Sequence, residues 1–247
     1  PSGHTDGTDA WKNWWLVPEK GESPRHIYFM GKDNIPFHTI IWPAILMGLN
    51  AKDASAVSHV PVPGGMVLED NVSSNEYLML QGGQFSKSRR HGVWLPSYLE
   101  RYDPDALRYY LSINMPETHD TDFRWDEYVD RVNNELIGTY GNFVHRVMTL
   151  AHRLQSDGGN PLARYDDHES HQETIELVNE KVSSAIDSME RQRFKEALRS
   201  IMGIAQIGNS ILQDAAPWKH LKGEESPERR KSLSSLALSW RICSCLA

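Results

Sequence analysis

The chain has 247 residues, of which 39% are hydrophobic and 24% charged, as is usual for a globular protein of one large domain or two smaller ones. Its net charge of −7 argues against a strongly basic nucleic-acid-binding protein, although a local surface can still bind RNA. The two cysteines, Cys243 and Cys245, cannot form a disulfide framework or a zinc site, and no apolar run reaches the roughly 20 residues of a membrane span. We therefore expect a protein of the reducing cytoplasm with no membrane partner.

The first part of the chain mixes strand and helix patterns. Short apolar runs that end at glycine or proline predict buried strands, and one longer run predicts a helix. In chain order these are a strand at 26–30, a helix at 37–49, and strands at 59–62 and 76–80. Strands that alternate with helices are typical of an α/β layer.

The rest of the chain reads as helices with clear boundaries. Asp103 and Pro104 are a typical N-cap followed by proline in the first helical turn. Apolar residues that recur every three or four positions predict the longer helices. The predicted elements are helices at 96–100 and 105–113, an acidic connector at 116–122, a helix of about eight turns at 123–150, helices at 169–191 and 194–213, a charged hinge at 222–231 and a last helix.

The sequence QFSKSR at 84–89 follows a predicted strand and the pair Gly82 and Gly83. Glycines let such a loop move, and a loop that carries Ser86, Lys87 and Ser88 is suited to a triphosphate. A lysine offers a point charge to phosphate oxygens, and serine hydroxyls add donors. Taken alone, the same residues are also typical of a solvated basic turn.

These segments together resemble the class I aminoacyl-tRNA synthetases. QFSKSR resembles the KMSKS signature of that family, and GKDNIPFH at 31–38 resembles its methionine-specific strand–loop–helix. The resemblance continues through DALRYYL at 105–111 and GNFVHR at 141–146 and covers nearly the whole chain. It implies an α/β plus all-α fold. Residues 1–118 would be the second half of a Rossmann-type catalytic domain with the KMSKS-like loop and a stem-contact region, and residues 119–247 a truncated anticodon-binding helix bundle.

The resemblance also implies two small-molecule sites. Lys87 would be the catalytic residue that stabilises pyrophosphate charge, Asp33 would bind the ribose hydroxyls, and Gly31 would let the backbone approach the nucleotide. The ATP-binding residues would be Gly31, Asp33, Leu78, Ser86, Lys87 and Ser88. Asn34 and His38 would line the pocket for methionine, and Mg²⁺ would accompany ATP. Taken alone, His38 is more typical of a satisfied histidine on a helix.

The helical part carries a second group of implied binding residues. Asn142 and Arg146 lie four residues apart and so share one helix face. By themselves they are typical of an exposed polar face, and Trp218 after Pro217 is typical of a helix-end plug. The resemblance implies instead that Trp218 stacks on an unstacked anticodon base while Asn142 and Arg146 bind base edges. The expected partner is tRNA for methionine, elongator and initiator alike, and not DNA.

Two departures from the family pattern bear on activity. Gln84 replaces the first lysine of the signature, so we expect an activity that is reduced or retuned, with Lys87 the more important residue. The His-x-Gly-His motif and the zinc-bearing insertion do not occur in the sequence. We therefore expect the C-terminal fragment of a longer enzyme, inactive by itself, with no metal bound here and zinc only in a part that would precede residue 1.

Three interpretations are open from the sequence. The first is a fragment of a methionine-activating synthetase, which joins ATP and methionine and transfers methionine to tRNA. The second is a catalytically inactive tRNA-binding or assembly module derived from a synthetase. The third is a synthetase for another apolar amino acid. The presence of both Lys87 and Asp33 favours the first over the second.

Overall fold

The structure is a computed structural model and describes residues 9–51, 63–160 and 168–246. The strand predicted at 59–62 lies outside these residues. The chain divides into two compact units, one of Pro1–Tyr77 with Pro116–Asp120 and the other of Leu78–Met115 with Thr121–Ala247. These limits differ from the domain boundary predicted between residues 118 and 119, which stays a prediction.

The first unit contains a parallel strand pair with a helical connection. A 3-10 turn at Asp9–Trp11 and α1 (Lys12–Trp15) precede it. β1 (Ile27–Gly31) pairs with β2 (Asn71–Asn75), and α2 (Trp42–Asn50) follows a π-helical turn at Phe37–Ile41. The predicted strand at 26–30 and helix at 37–49 are confirmed. The sequence did not predict β2, because that strand is polar except for Val72 and is fixed by pairing with β1.

The second unit contains a small sheet in the order β4-β3-β5. β3 (Leu78–Leu80) pairs antiparallel with β4 (Gly83–Gln84) across a two-residue turn, in which Gln81 and Gly82 have φ of 50° and 77°. The same strand pairs in parallel with β5 (Thr121–Phe123). The predictions of a connector through residue 122 and a helix from Phe123 were therefore wrong. Phe123 pairs with Leu80, and its ring is buried against other aromatic side chains.

Two short helices and an aromatic core complete this part of the second unit. α3 (Leu95–Leu99) and α4 (Pro104–Ile113) lie close to their predicted positions. The carboxylate of Asp103 accepts a hydrogen bond from Asp105 N at 2.7 Å, which confirms the predicted N-cap. Tyr98 and Tyr128 are buried with their hydroxyl oxygens 2.7 Å apart.

The long predicted helix contains a change of pitch. α5 (Trp125–Arg131) runs into a π-helical segment (Val132–Gly141), which runs into α6 (Asn142–Ser156). A π-helix has backbone hydrogen bonds between residues five apart, and here the Thr139 side chain spans the same interval, since its Oγ1 donates to Asn134 O at 3.1 Å. The apolar pattern does not reveal this change of pitch, because Val132, Leu136 and Tyr140 still follow one another at four residues.

Three further helices pack with α6 around one apolar core. They are α7 (His168–Glu190), α8 (Phe194–Ala215) and α9 (Pro227–Cys245). The predicted helices at 169–191 and 194–213 are confirmed. The predicted hinge ends earlier than residue 231, because Ser226 caps α9 by accepting from Arg229 N at 3.1 Å. Within the described ranges no helix has both the length and the apolar character that a membrane crossing requires.

A glycine permits the closest approach of α8 to α6. A Cβ on Gly208 would lie 2.3 Å from ring carbons of Phe143, which is fully buried. A methyl group does not fit in this space without a shift of the ring or of a helix. The contact brings the next residue of α8, Asn209, to the polar face of α6.

We expect Gly208→Ala to lower the free energy of unfolding by about 1–3 kcal/mol, because the added methyl overpacks the contact with Phe143. The matched control is Gly203→Ala in the same helix, where a Cβ would make an ordinary 3.6 Å contact with Lys181. This change should raise stability by up to about 1 kcal/mol through helix propensity. Urea unfolding measures both, and equal effects of the two changes would contradict the packing argument.

Candidate functional site

The KMSKS-like loop is a closed turn with Lys87 at its tip. Ser86 and His91 exchange two backbone hydrogen bonds of 2.8 and 2.9 Å, and Arg90 N donates to Lys87 O at 3.2 Å. Lys87 and Ser88 are exposed. The hydrogen bonds hold the base of the loop, so its tip presents an ammonium group and hydroxyls to the solvent.

The two serine side chains organise the tip. Ser86 Oγ lies 3.2 Å from Ser88 Oγ and accepts from Arg89 N at 3.3 Å. Two adjacent hydroxyls and the Lys87 ammonium form a set of donors that can bind phosphate oxygens. The structure therefore brings together three of the residues predicted to bind ATP. A fourth, Leu78, is half-buried on β3 in the same compact unit.

His91 connects this loop to β3 and was not among the predicted site residues. Its Nε2 lies 2.8 Å from Leu80 O, and because a carbonyl only accepts, Nε2 must carry the proton. A Cβ on Gly83 would lie 3.1 Å from that nitrogen. Gly83 therefore leaves room for the imidazole, which ties the loop to β3.

Gly31 and Asp33 belong to the other compact unit. Gly31 ends β1 with an ordinary φ of −78°, and a Cβ there would meet nothing within 4 Å. Neither backbone conformation nor neighbouring protein atoms therefore require glycine at this position. Asp33 lies exposed on the adjacent 3-10 turn, and Tyr77 Oη donates to its Oδ2 at 2.5 Å.

Charged side chains surround Tyr77, the residue that donates to Asp33. The Lys32 ammonium pairs with Glu76, lies 3.5 Å from Asp120 Oδ1, and sits 4.4 Å from the centre of the Tyr77 ring. The bond to Glu76 is the main cause that raises the pKa of Lys32. The bond to Asp33 likewise raises the pKa of the Tyr77 hydroxyl. Tyr77 thus stays protonated and holds one oxygen of Asp33.

His38 and Asn34 meet at the start of the following helix. His38 Nδ1 donates to Asn34 O at 3.0 Å. The other ring nitrogen, Nε2, takes no part in this hydrogen bond. The imidazole is half-buried and packs edge-on against Tyr28, with ring centres 6.0 Å apart. Trp42 Nε1 donates to the Tyr28 hydroxyl at 2.9 Å. Tyr28 and Trp42 were not among the predicted site residues.

Asn142 and Arg146 converge on the side-chain amide of Asn209, a residue of α8. Asn209 Oδ1 lies 3.3 Å from Asn142 Nδ2 and 3.4 Å from Arg146 Nη1. Asn209 Nδ2 donates to Thr139 O at 2.9 Å. Because Thr139 O can only accept, this bond fixes which way the Asn209 amide points and turns its oxygen toward the two donors.

Trp218 also belongs to this polar cluster, through its contact with Arg146. The Arg146 guanidinium carbon lies 5.3 Å from the centre of the Trp218 ring, a cation–π geometry, and Arg146 Nη2 donates to Gln213 Oε1 at 3.4 Å. The ring is 40% exposed, whereas a helix-end plug would be buried. The buried Pro217 and the left-handed Ala216, with φ of 41°, turn the chain so that the ring lies on the surface.

The structure thus places the three residues predicted to read an anticodon in one surface cluster. Asn209, Gln213 and Thr139 were not among the predicted binding residues. A signal existed, because Asn209 and Gln213 lie four residues apart, the spacing of Asn142 and Arg146. In the parts of the chain that the structure describes, no three His, Cys, Asp or Glu side chains are grouped to hold a metal ion.

Comparison with known proteins identifies relatives over most of the chain. A profile of the class I tRNA synthetases (M) matches residues 2–148. The chain is 39% identical over 231 residues to a methionine–tRNA ligase of Roseiflexus sp. (strain RS-1), an alignment of 93% of this chain and 36% of that protein. It is 40% identical over 242 residues to a methionine–tRNA ligase of Chloroflexus aggregans, covering 93% of this chain and 37% of that protein. The chain therefore spans little more than a third of the length of these relatives.

The fold is also that of a solved synthetase. A Mycobacterium tuberculosis methionyl-tRNA synthetase in complex with methionyl-adenylate has a TM-score of 0.75 and 21% sequence identity to this chain. The match covers 99% of this chain and 44% of that one. The predicted fold class, α/β followed by a helix bundle, is confirmed.

We expect Asp33→Asn to lower the pKa of Tyr77, because the strongest influence that keeps its hydroxyl protonated is the bond to the Asp33 carboxylate. The change can be followed by NMR titration of ring-labelled tyrosine, with Tyr77→Phe to assign the signal. Asp120→Asn is the matched control and should cause a smaller decrease, because Asp120 is the weakest of these influences. A Tyr77 pKa that is the same in Asp33→Asn and in the unmodified chain would contradict the assigned contact.

Proposed function

Because the chain belongs to the class I tRNA synthetases (M), we propose that it is part of a methionine–tRNA ligase and that its helix bundle reads the anticodon of tRNA for methionine. The observation that carries this proposal is the convergence of Asn142, Arg146 and Trp218 on one exposed surface. These residues come from two separate parts of the chain, α6 and the turn after α8. Asn209 of α8 holds Asn142 and Arg146, and Trp218 lies against Arg146.

The cluster has the chemistry that single-stranded RNA recognition requires. An exposed indole offers a stacking platform to an unstacked base, and such stacking is worth about 1–3 kcal/mol. Arg146 lies over the Trp218 ring, and both it and Asn142 can donate to a base edge. Elongator and initiator tRNAs for methionine share the CAU anticodon, so we propose that both bind here.

The other proposed role is a share of the activation site. In the first step the methionine carboxylate attacks the α-phosphorus of ATP, which forms methionyl-adenylate and releases pyrophosphate. In the second step a hydroxyl of the terminal adenosine of tRNA attacks the methionyl carbonyl and releases AMP. We assign Lys87 to the departing pyrophosphate, with Ser86 and Ser88 as further donors to phosphate.

The remaining assignments concern how the substrates are held. Asp33 would accept from the ribose hydroxyls with its orientation set by Tyr77, and Gly31 and Leu78 would lie along the nucleotide. His38 and Asn34 would line the methionine side chain, beside the aromatic ring of Tyr28. Mg²⁺ would be carried by the ATP phosphates and water, as is usual for this ion. We place this activity in the cytoplasm, where tRNA is charged.

Anticodon reading can be tested on the chain itself with labelled RNA stem-loops. We expect a stem-loop with CAU in its loop to bind at least tenfold more tightly than one with a changed anticodon. Trp218→Ala should weaken binding of the CAU stem-loop by about 5- to 150-fold, the equivalent of one stacked base, and Trp218→Phe should retain much of the affinity.

Fluorescence anisotropy measures these affinities, and circular dichroism shows that each variant is folded. Equal, salt-sensitive binding of both stem-loops would indicate a nonspecific contact. A folded chain that binds neither stem-loop would refute the roles of Asn142, Arg146 and Trp218.

Activation can be tested in a full-length ligase that contains this chain. Lys87→Ala should lower methionine-dependent ATP–pyrophosphate exchange by about 100-fold, because one preorganised charge that stabilises the transition state is lost. Gln84→Lys should raise exchange, because it adds a charge to the same loop. An unchanged rate in Lys87→Ala would refute its role, and no exchange in the unmodified enzyme, with anticodon binding intact, would support an inactive tRNA-binding module.

A further inference from the structure

A cleft of about 500 Å³ lies beside Trp218, next to the anticodon-reading cluster. It is formed by the end of α6 and by the segment that follows α8. Its charged and aromatic lining consists of His152, Arg153, Asp157, Trp218, Lys219 and Lys222. None of the polar residues in this lining belongs to the cluster of Asn142, Arg146 and Asn209.

The cleft is locally basic in a chain with a net charge of −7. Two lysines and an arginine face one carboxylate, and that carboxylate is already paired, because Lys222 Nζ lies 3.1 Å from Asp157 Oδ1. Arg153 and Lys219 have no ion-pair partner among the described residues of the cleft. They supply the positive charge that remains for a ligand.

Stabilisation of the helix end explains only part of this charge. α6 ends at Ser156, and cations near a helix C-terminus interact favourably with its exposed carbonyl groups. This effect accounts for Arg153, which lies in the last turn of the helix. It does not account for Lys219, which lies on a separate 3-10 turn after α8, two residues from the buried Pro217.

We propose that this cleft binds the sugar–phosphate backbone of the RNA strand whose neighbouring base stacks on Trp218. The inference rests on the proposed anticodon-reading role, since Trp218 belongs to both the polar cluster and the cleft. A strand with one base on the indole must continue past the ring, and the cleft is the adjacent basic surface.

The side chains divide the binding between them. The planar guanidinium of Arg153 can donate two parallel hydrogen bonds to phosphate oxygens, and Lys219 supplies a mobile point charge. His152 can add a ring N–H donor. Ser156 does not contribute its hydroxyl proton, because its Oγ donates to His152 O at 2.9 Å. Lys222 is held by Asp157 and contributes less.

The test compares two double variants of the chain that remove equal charge. In Arg153→Gln with Lys219→Gln, the CAU stem-loop should bind about 25-fold more weakly at 0.1 M salt, and the slope of log affinity against log salt should fall by about 1.4, for two lost phosphate contacts. The preference for CAU over a changed anticodon should persist. The control is Arg191→Gln with Arg193→Gln. These residues precede α8, which is about 33 Å long, and the cleft lies after its other end. The control should change neither the affinity nor the salt slope.

A single variant that removes negative charge from the cleft tests the same proposal without loss of its basic side chains. Asp157→Asn removes the carboxylate and releases Lys222, so it should tighten stem-loop binding by about fivefold at 0.1 M salt. If the basic residues only stabilise the end of α6, this variant will leave affinity unchanged and the double variant will lower the melting temperature instead.

The outcomes separate this inference from the proposed function. Selective binding that requires Trp218 but is equal in the cleft and control variants would overturn the cleft assignment and leave anticodon reading intact. Loss of selectivity in Trp218→Ala together with the predicted salt slopes supports both. No binding of either stem-loop by the folded chain would overturn both, and preferential binding of an acidic peptide would assign the cleft to a protein partner.

Discussion

The helix bundle depends on how closely α6 and α8 approach each other. Gly208 lies against the buried ring of Phe143, where no larger side chain fits without a shift. This contact sets Asn209 within hydrogen-bond distance of Asn142 and Arg146. A wider separation would leave the two donors on α6 without their common acceptor. An apolar contact in the core therefore determines the geometry of a polar surface.

In the proposed RNA complex, the same surface would combine recognition and attraction in a negatively charged protein. The polar cluster offers directional donors and an exposed indole, and the adjacent cleft concentrates positive charge near Trp218. Phosphate contacts position an RNA strand without reading its sequence, whereas base contacts specify it. A small basic surface is sufficient for the first task, which is why the net charge of −7 does not conflict with RNA binding.

Local patterns gave correct predictions where the cause of structure is local. The N-cap at Asp103 was predicted because its hydrogen bond joins residues two apart, and α7 and α8 were predicted from apolar periodicity. The position of Lys87 in an exposed turn after a strand was predicted from glycines and a short motif. Phe123 was misplaced on a helix, because its apolar character suits either element and only pairing with Leu80 decides between them.

The sequence by itself determined the family, the fold class and the residues that carry the candidate chemistry, because these are written in motifs and periodicities of a few residues. Only the tertiary structure decided which residues complete the sites. Tyr77 meets Asp33 across 44 positions, and Asn209 meets Asn142 across 67. The tertiary structure also revealed the basic cleft beside Trp218. Its lining comes from the end of α6 and from the segment after α8. Such contacts arise when separate elements bury their apolar faces together, and no short stretch of sequence records which polar groups that packing brings within hydrogen-bond distance.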